Sequence, residues 1–282
     1  VSVFIQRFLA VTVGEAGIAN IGQVRNLTEM ITSTSSLGVF NGVVKYISEK
    51  KNDNNALSQL FSTVFVFLAV GSIITSTILF FGASYFSNYI FKSPDYRFVF
   101  YFFAVLAPFI ALNRVFNAVI NGLSEYKKYA KIDIIGYLLS AVALILGLIY
   151  YNLEGAIFAI LIAPLIQLSV LIFIFASVLK KYINFKSLRF AIKYKKELLA
   201  FTLMSFVSTF LINFIELDLR TIVTDQISIK EAGYWTAMLF ISKNYMVFSA
   251  GIFTLYVLPK FATITNEAEF KNEVIHIYKT IA

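Results

Sequence analysis

The chain has 282 residues, 59% of them hydrophobic and 17% aromatic, with only 14% charged and a mean hydropathy of +0.77. A soluble domain is nearer one quarter charged, so the composition excludes an ordinary globular enzyme and implies an all-α, polytopic membrane protein. The net charge of +8 would suit nucleic acid in a soluble protein, but here the basic residues set topology, and no nucleic-acid partner is expected.

A membrane span takes about 20 mostly apolar residues. Residues 1–13 read as the back half of a helix whose front is missing, because neither a basic start nor a small-residue cleavage site marks a signal peptide. Seven further spans are predicted, at 27–47, 60–82, 98–120, 132–151, 156–179, 198–220 and 234–257. Leu79–Phe91, rich in Phe and Tyr, is expected to lie partly along the membrane surface. The chain reads as a fragment truncated at both ends, with a partial first helix and seven transmembrane helices.

Lysine and arginine in the connectors set the orientation. One alternating set of connectors holds fifteen of them, including Lys50, Lys51, Lys127, Lys128 and Lys131. The other holds five: Arg25, Lys92, Arg97, Arg220 and Lys230. The richer set is expected in the cytoplasm, together with the missing N-terminus. Residues 180–197 form the most basic connector, read either as a lipid-held linker between two bundles or as ordinary topogenic charge.

Four cations remain in or beside the spans: Arg7, Lys45, Arg114 and Lys243. A charge at the helix centre costs roughly 2.5–3.5 kcal/mol on insertion scales, so each needs a partner or a role. Thr34, Gly38, Asn41 and Lys45 fall on one stripe of a continuous helix, and Asn113, Asn117 and Asn121 follow at i, i+4, i+8 around Arg114. Such stripes should face protein or a wet cavity, since lipid tails offer polar groups no partner. The candidate substrate-binding residues are Arg7, Lys45, Asn41, Arg114, Asn117 and Lys243, which together suit an anionic, phosphate-bearing ligand. The alternative is that these cations pair with Glu29, Glu216 and Asp218, or that Lys45 reaches the headgroups. Glu216 and Arg220, at i, i+4, are expected to form a local ion pair. Tyr234 and Trp235 are expected to anchor at an interface, and Pro108, Pro164 and Pro259 to kink their helices.

No catalytic or metal-binding residue is expected. The lone His276 has no partner, the absence of cysteine excludes a thiolate site, and no phosphate-binding loop or nucleophile elbow is present. No cofactor is implied.

Leu37-Gly-Val-Phe-Asn-Gly-Val-Val-Lys-Tyr46 resembles the second helix of the Wzx-type flippases of lipid-linked oligosaccharides, the O-antigen and lipid III translocases of the MOP exporter superfamily. Further matching segments run in order: Leu9-Ala-Val11, Glu154-Gly-Ala156, Phe201-Thr-Leu-Met204, Glu231-Ala-Gly-Tyr-Trp235 and Tyr256-Val-Leu-Pro259. The resemblance implies a MATE-like bundle of two six-helix lobes around a cavity that opens alternately to either side. On that plan residues 1–179 form the N-terminal lobe, 180–197 the linker and 198–282 the start of the C-terminal lobe. It further implies a polyprenyl-pyrophosphate-linked glycan as cargo in a bacterial inner membrane, with membrane lipids and other glycan-assembly membrane proteins as partners. Basic character carries over at Arg7, Lys45 and Arg220; Arg114 and Lys243 have no match, and Asn213 stands where a proline is expected. Three rivals stay open: a drug/cation antiporter of the same superfamily, a membrane glycan polymerase or acyltransferase, and a non-transporting scaffold.

Overall fold

The computed structural model describes residues 2–183 and 192–252, with the isolated positions 271 and 274. Its helices are α1 (Ser2–Ser35), α2 (Phe40–Lys50), α3 (Asn54–Phe91), α4 (Arg97–Gly122), α5 (Tyr126–Tyr182), α6 (Lys195–Gln226) and α7 (Ile229–Ile252). Among the described residues there is no strand. Positions 184–191 of the basic connector lie outside the described residues, as do 253–257 of the last predicted span, Pro259 and His276.

Two helices double back. α1 turns at Gly14, whose φ of 67° and ψ of −174° suit a residue without a β-carbon. Gln6 and Arg25 consequently line one cavity, although a straight helix would hold them roughly 28 Å apart. α5 turns at Tyr151 and Asn152, where Asn152 takes a φ of 51°. There Gly147 and Gly155 meet backbone to backbone, leaving no space for a β-carbon on either.

Counted by legs, with α2 taken together with the 15–35 leg as one broken span, the described chain has a first short helix (2–13) followed by seven more, in agreement with the sequence reading. Asn54–Phe91, Pro94–Gly122, Tyr126–Lys180 and Lys195–Gln226 are each long and apolar enough to span a membrane, and the third holds both legs of α5. Large apolar side chains cover the outside, among them Phe81, Tyr150 and Phe173, as expected where the solvent is lipid. The chain is a multi-pass membrane protein.

The boundaries differ from expectation in two places. The second span begins at residue 15, directly after the Gly14 turn, and it is broken. Gly38 N–H donates to Ser33 C=O (3.0 Å) and Leu37 N–H to Thr34 C=O (3.1 Å), the bond pair of a Schellman motif, with Leu37 at φ 47° and Gly38 at φ 63°. The helix stops there and restarts as α2, so Thr34, Gly38, Asn41 and Lys45 do not share one stripe. The second difference is α3, which continues to Phe91 instead of bending onto the surface at Leu79. Nothing before Ser93-Pro94 removes a backbone donor, so the helix runs on until the proline.

α7 lies against both legs of α1. It is antiparallel to 2–13, where Asn244 donates to Gln6 (3.1 Å), and parallel to 15–35, where Gly22 meets Thr236. Two apolar cores stack along the bundle. Phe100, Phe103, Leu148 and Ile157 centre the one nearer Gly14, and Phe61, Val115, Phe175 and Leu179 the one nearer Lys50. α4 passes from the first to the second at Ile110–Ala111, and its asparagine ladder begins just there.

Candidate functional site

A chamber of about 550 Å³ opens between the 15–35 leg, α4, both legs of α5, and α6 and α7. Its lining is polar for a membrane interior. Seven carboxamides border it, at Gln6, Asn26, Asn113, Asn117, Gln167, Asn213 and Asn244, with the cations Arg25, Arg114 and Lys243 and the acids Glu29 and Asp133.

The ladder on α4 arises from asparagine at every helical turn. Asn117 donates to the Asn113 carbonyl (2.9 Å), Asn121 to the Asn117 carbonyl (3.0 Å), and Asn113 reaches across to Gln167 on α5 (3.4 Å). One turn along the same face, the Arg114 guanidinium lies 4.1 Å from the centre of the Phe40 ring. Arg25 stacks similarly on Phe240 at 4.6 Å. Neither arginine is in an ion pair among the described residues. An aromatic face attracts a cation without neutralising it, so both charges stay available to an anion entering the chamber. Asn26 is 5% exposed, yet its Nδ2 has no hydrogen-bond partner. A buried amide left in that condition is costly unless a ligand or water completes it.

The structure sorts the sequence candidates into three groups. Arg114, Asn117 and Lys243 line the chamber. Lys243 is already engaged by Glu216 of α6 at 2.6 Å. Asn41 lines a smaller pocket of about 50 Å³ that shares Arg114, Glu29, Thr32 and Phe40 with the chamber. Lys45 and Arg7 line neither. Lys45 is exposed at the Lys50 end, 3.9 Å from Glu49 and over the rings of Tyr46 and Phe201, because the break at Leu37–Gly38 rotates α2 off the stripe. Arg7 is exposed, and its neighbour Gln6 faces the chamber instead.

Three readings of individual charges are corrected. Arg25, assigned to a connector, is inside the bundle because the preceding turn sits at Gly14. Arg220, assigned to the same set of connectors and expected to pair with Glu216, is 1% exposed. It donates to Thr236 Oγ1 (2.7 Å) and Gln23 Oε1 (2.9 Å), while Glu216 turns to Lys243. Trp235 lies beneath the Arg220 guanidinium, 5.4 Å from it. Along α1 and α7 the Arg220 cluster lies between the Gly14 turn and the chamber-lining residues Arg25 and Phe240. Near the Gly14 end three further contacts tie α6 and α7 to earlier helices: Tyr89 to Asp218 (2.7 Å), Lys92 to Asp225 (2.8 Å) and Tyr234 to Glu15 (3.2 Å).

A family profile described as "Polysaccharide biosynthesis protein" matches residues 20–282. The chain belongs to that family. The chain is also similar to the lipid III flippases of Escherichia coli (strain K12) and Shigella flexneri, each 23% identical over 98% of this chain and 66% of the relative. It thus spans just under two thirds of the length of those relatives. Its fold is similar to a solved inward-facing multidrug resistance MATE family transporter of the MOP superfamily, with a TM-score of 0.71 and 14% identity. That match covers 87% of this chain and 58% of the transporter. The chain therefore has a MATE-like helical fold, and its resemblance to the lipid III flippases extends over nearly all of its length.

Proposed function

We propose that the protein carrying this chain is a flippase that moves a polyprenyl-pyrophosphate-linked oligosaccharide across the bacterial inner membrane by alternating access. The observation that carries this reading is the chamber's lining. Carboxamides both donate and accept, which suits the hydroxyl groups of sugars, and two arginines without acid partners suit a diphosphate. Binding of cargo between the lobes would favour the arrangement that surrounds it and so shift the balance of inward- and outward-open states. No bond is made or broken in such a cycle.

The drug/cation antiporter remains the closest rival, since Glu29 and Asp133 border the chamber and the solved neighbour exports drugs. A pocket for lipophilic cations would be mainly apolar and aromatic, however, whereas seven amides and three cations border this one. Proteoliposomes separate the two. Transfer of a labelled polyprenyl-pyrophosphate glycan between leaflets, without movement of ethidium, is the expected result. Ethidium exchange against protons without glycan transfer would replace the proposal with the antiporter.

A further inference from the structure

The chamber has an apolar counterpart on the other side of its wall. A groove of about 570 Å³ runs between the 15–35 leg, α3 and α6, lined almost wholly by hydrocarbon. The two spaces use opposite faces of α1 and adjoining faces of α6. On α1, Thr28, Glu29 and Thr32 face the chamber, while Leu27, Met30 and Ile31 face the groove. On α6, Asn213 borders the chamber and Phe210, Phe214 and Leu217 the groove.

The groove's ends are defined by contacts. At one end Gly71 packs against the backbone of Thr34 and Ser35 at the helix break; at the other Tyr89 lines the groove and donates to Asp218. From Gly71 to Ile90 the α3 wall rises roughly 28 Å, close to the hydrocarbon thickness of a bilayer. Several lining side chains, including Ile74, Ile78 and Tyr85, are exposed on the outer surface. The groove is therefore a slot open to lipid and about one hydrocarbon core long.

Between chamber and groove, the seam that α1 and α2 form with α6 is pinned at two levels. Gln23 bonds Thr221 and Arg220 toward Gly14, and Gly42 packs on Phe201 toward Lys50. The small pocket lies between these levels, reaching from Arg114 and Glu29 to Ser33 and Thr209. Ser33 is 6% exposed and its hydroxyl has no hydrogen-bond partner, the same condition as Asn26 seven residues earlier. Two orphaned polar groups thus mark a path from the chamber to the seam.

We propose that the seam between the 15–35 leg and α6 is a lateral portal. One amphiphile sits astride it, with its diphosphate and sugar in the chamber and its polyisoprenoid tail in the groove. This rests on the flippase reading, and it adds a binding site for the tail. A ligand with one polar and one long apolar part is the occupant that satisfies both spaces at once. Burying successive methylene groups in the slot also gives a selectivity for long chains that the chamber alone does not provide.

The test is photocrosslinking of the full-length protein in proteoliposomes, using a radiolabelled undecaprenyl-pyrophosphate-linked N-acetylglucosamine. Benzophenone is placed at Ile78 in the groove, at Ile160 in the chamber wall, or at Phe173, which faces lipid far from both. Labelling at Ile78 is expected to exceed that at Phe173 by about tenfold, and to be competed by unlabelled undecaprenyl pyrophosphate but not by phosphatidylglycerol. Equal labelling at Ile78 and Phe173, or competition by phosphatidylglycerol, would show bulk lipid in the groove and overturn the proposal. Labelling at Ile160 without Ile78 would overturn the tail site while leaving the flippase reading in place. No labelling at either would overturn both. As a second readout, Ile78→Trp should slow transfer of the undecaprenyl substrate several-fold and leave a geranyl analogue unaffected.

Discussion

Arg220 shows how a cation inside the bundle is held without a carboxylate. Its guanidinium donates to Gln23 on α1 and Thr236 on α7 and lies over Trp235, so one side chain joins three helices. Replacing it with Met would leave Gln23 and Thr236 without their charged donor. The loss should be about 2–4 kcal/mol, read as a lower midpoint of unfolding in detergent, and Lys should not rescue the planar two-partner geometry. An unchanged midpoint would mean that the cluster does not brace the bundle. Arg114 and Lys45 present the opposite contrast. Arg114 lines the chamber beside Glu29 but forms no ion pair among the described residues, so Arg114→Ala should reduce glycan transfer about tenfold to a hundredfold with normal protein levels. Lys45→Ala should change transfer by no more than about twofold, since it removes only exposed contacts with Glu49, Tyr46 and Phe201 outside the chamber. Equal effects in the two variants would move the anion site toward the Lys50 end. The sequence made cations at membrane depth visible, but not their neighbours. Glu216 satisfies the spacing rule for Arg220 and still turns to Lys243, because α7 brings an ammonium within 2.6 Å.

At the scale of elements, apolar length located α3 to α6, since lipid demands it whatever the packing, but it placed the second span at 27–47 where the leg begins after Gly14. The breaks were harder to see. Leu37 occupies the left-handed position where glycine is usual, and the glycine follows one residue later, so the pattern Ser-Leu-Gly-Val reads as continuous helix. The chamber's wall inherits that difficulty: the stripe projected from Thr34 to Lys45 holds only for an unbroken helix. Gly14, followed by Glu15, could have signalled the tight turn that carries Arg25 inside. The hairpin of α5 makes a sharper claim. Gly147 and Gly155 touch through their backbones, so Gly155→Ala has no flexible side chain to displace and must splay the two legs. A destabilisation of about 1–3 kcal/mol is expected, measurable as a lowered thermal midpoint, with Gly136→Ala as a milder control because its neighbour is the Gln167 side chain. If the two variants behaved alike, the close approach of the legs would not be a feature of the folded bundle.

At the scale of the whole molecule, alternating access as proposed would make the contacts near Gly14 a latch on that end of the chamber. Tyr89–Asp218 and Lys92–Asp225 join α3 to α6, and Glu15 joins the α1 turn to Tyr234 of α7. On the two-lobe reading each of these crosses from the first lobe to the second, so they must part when the chamber opens at that end. They are exposed, and exposed ion pairs are worth about 0.2–1 kcal/mol each. That weakness fits a latch, because a pair worth much more would trap one state. Replacing Asp218 and Asp225 together with Asn should therefore shift the balance toward the state open near Gly14 by about two- to thirtyfold. These 282 residues contain no cysteine, so a single Thr28→Cys in the chamber wall, with any cysteine elsewhere in the full-length protein replaced by serine, reports the shift. Its labelling by an impermeant maleimide, added on the face nearest Gly14, should accelerate in the double variant and slow again when cargo favours the closed end. Labelling at the same rate with and without the two aspartates would show that these contacts do not hold the chamber shut.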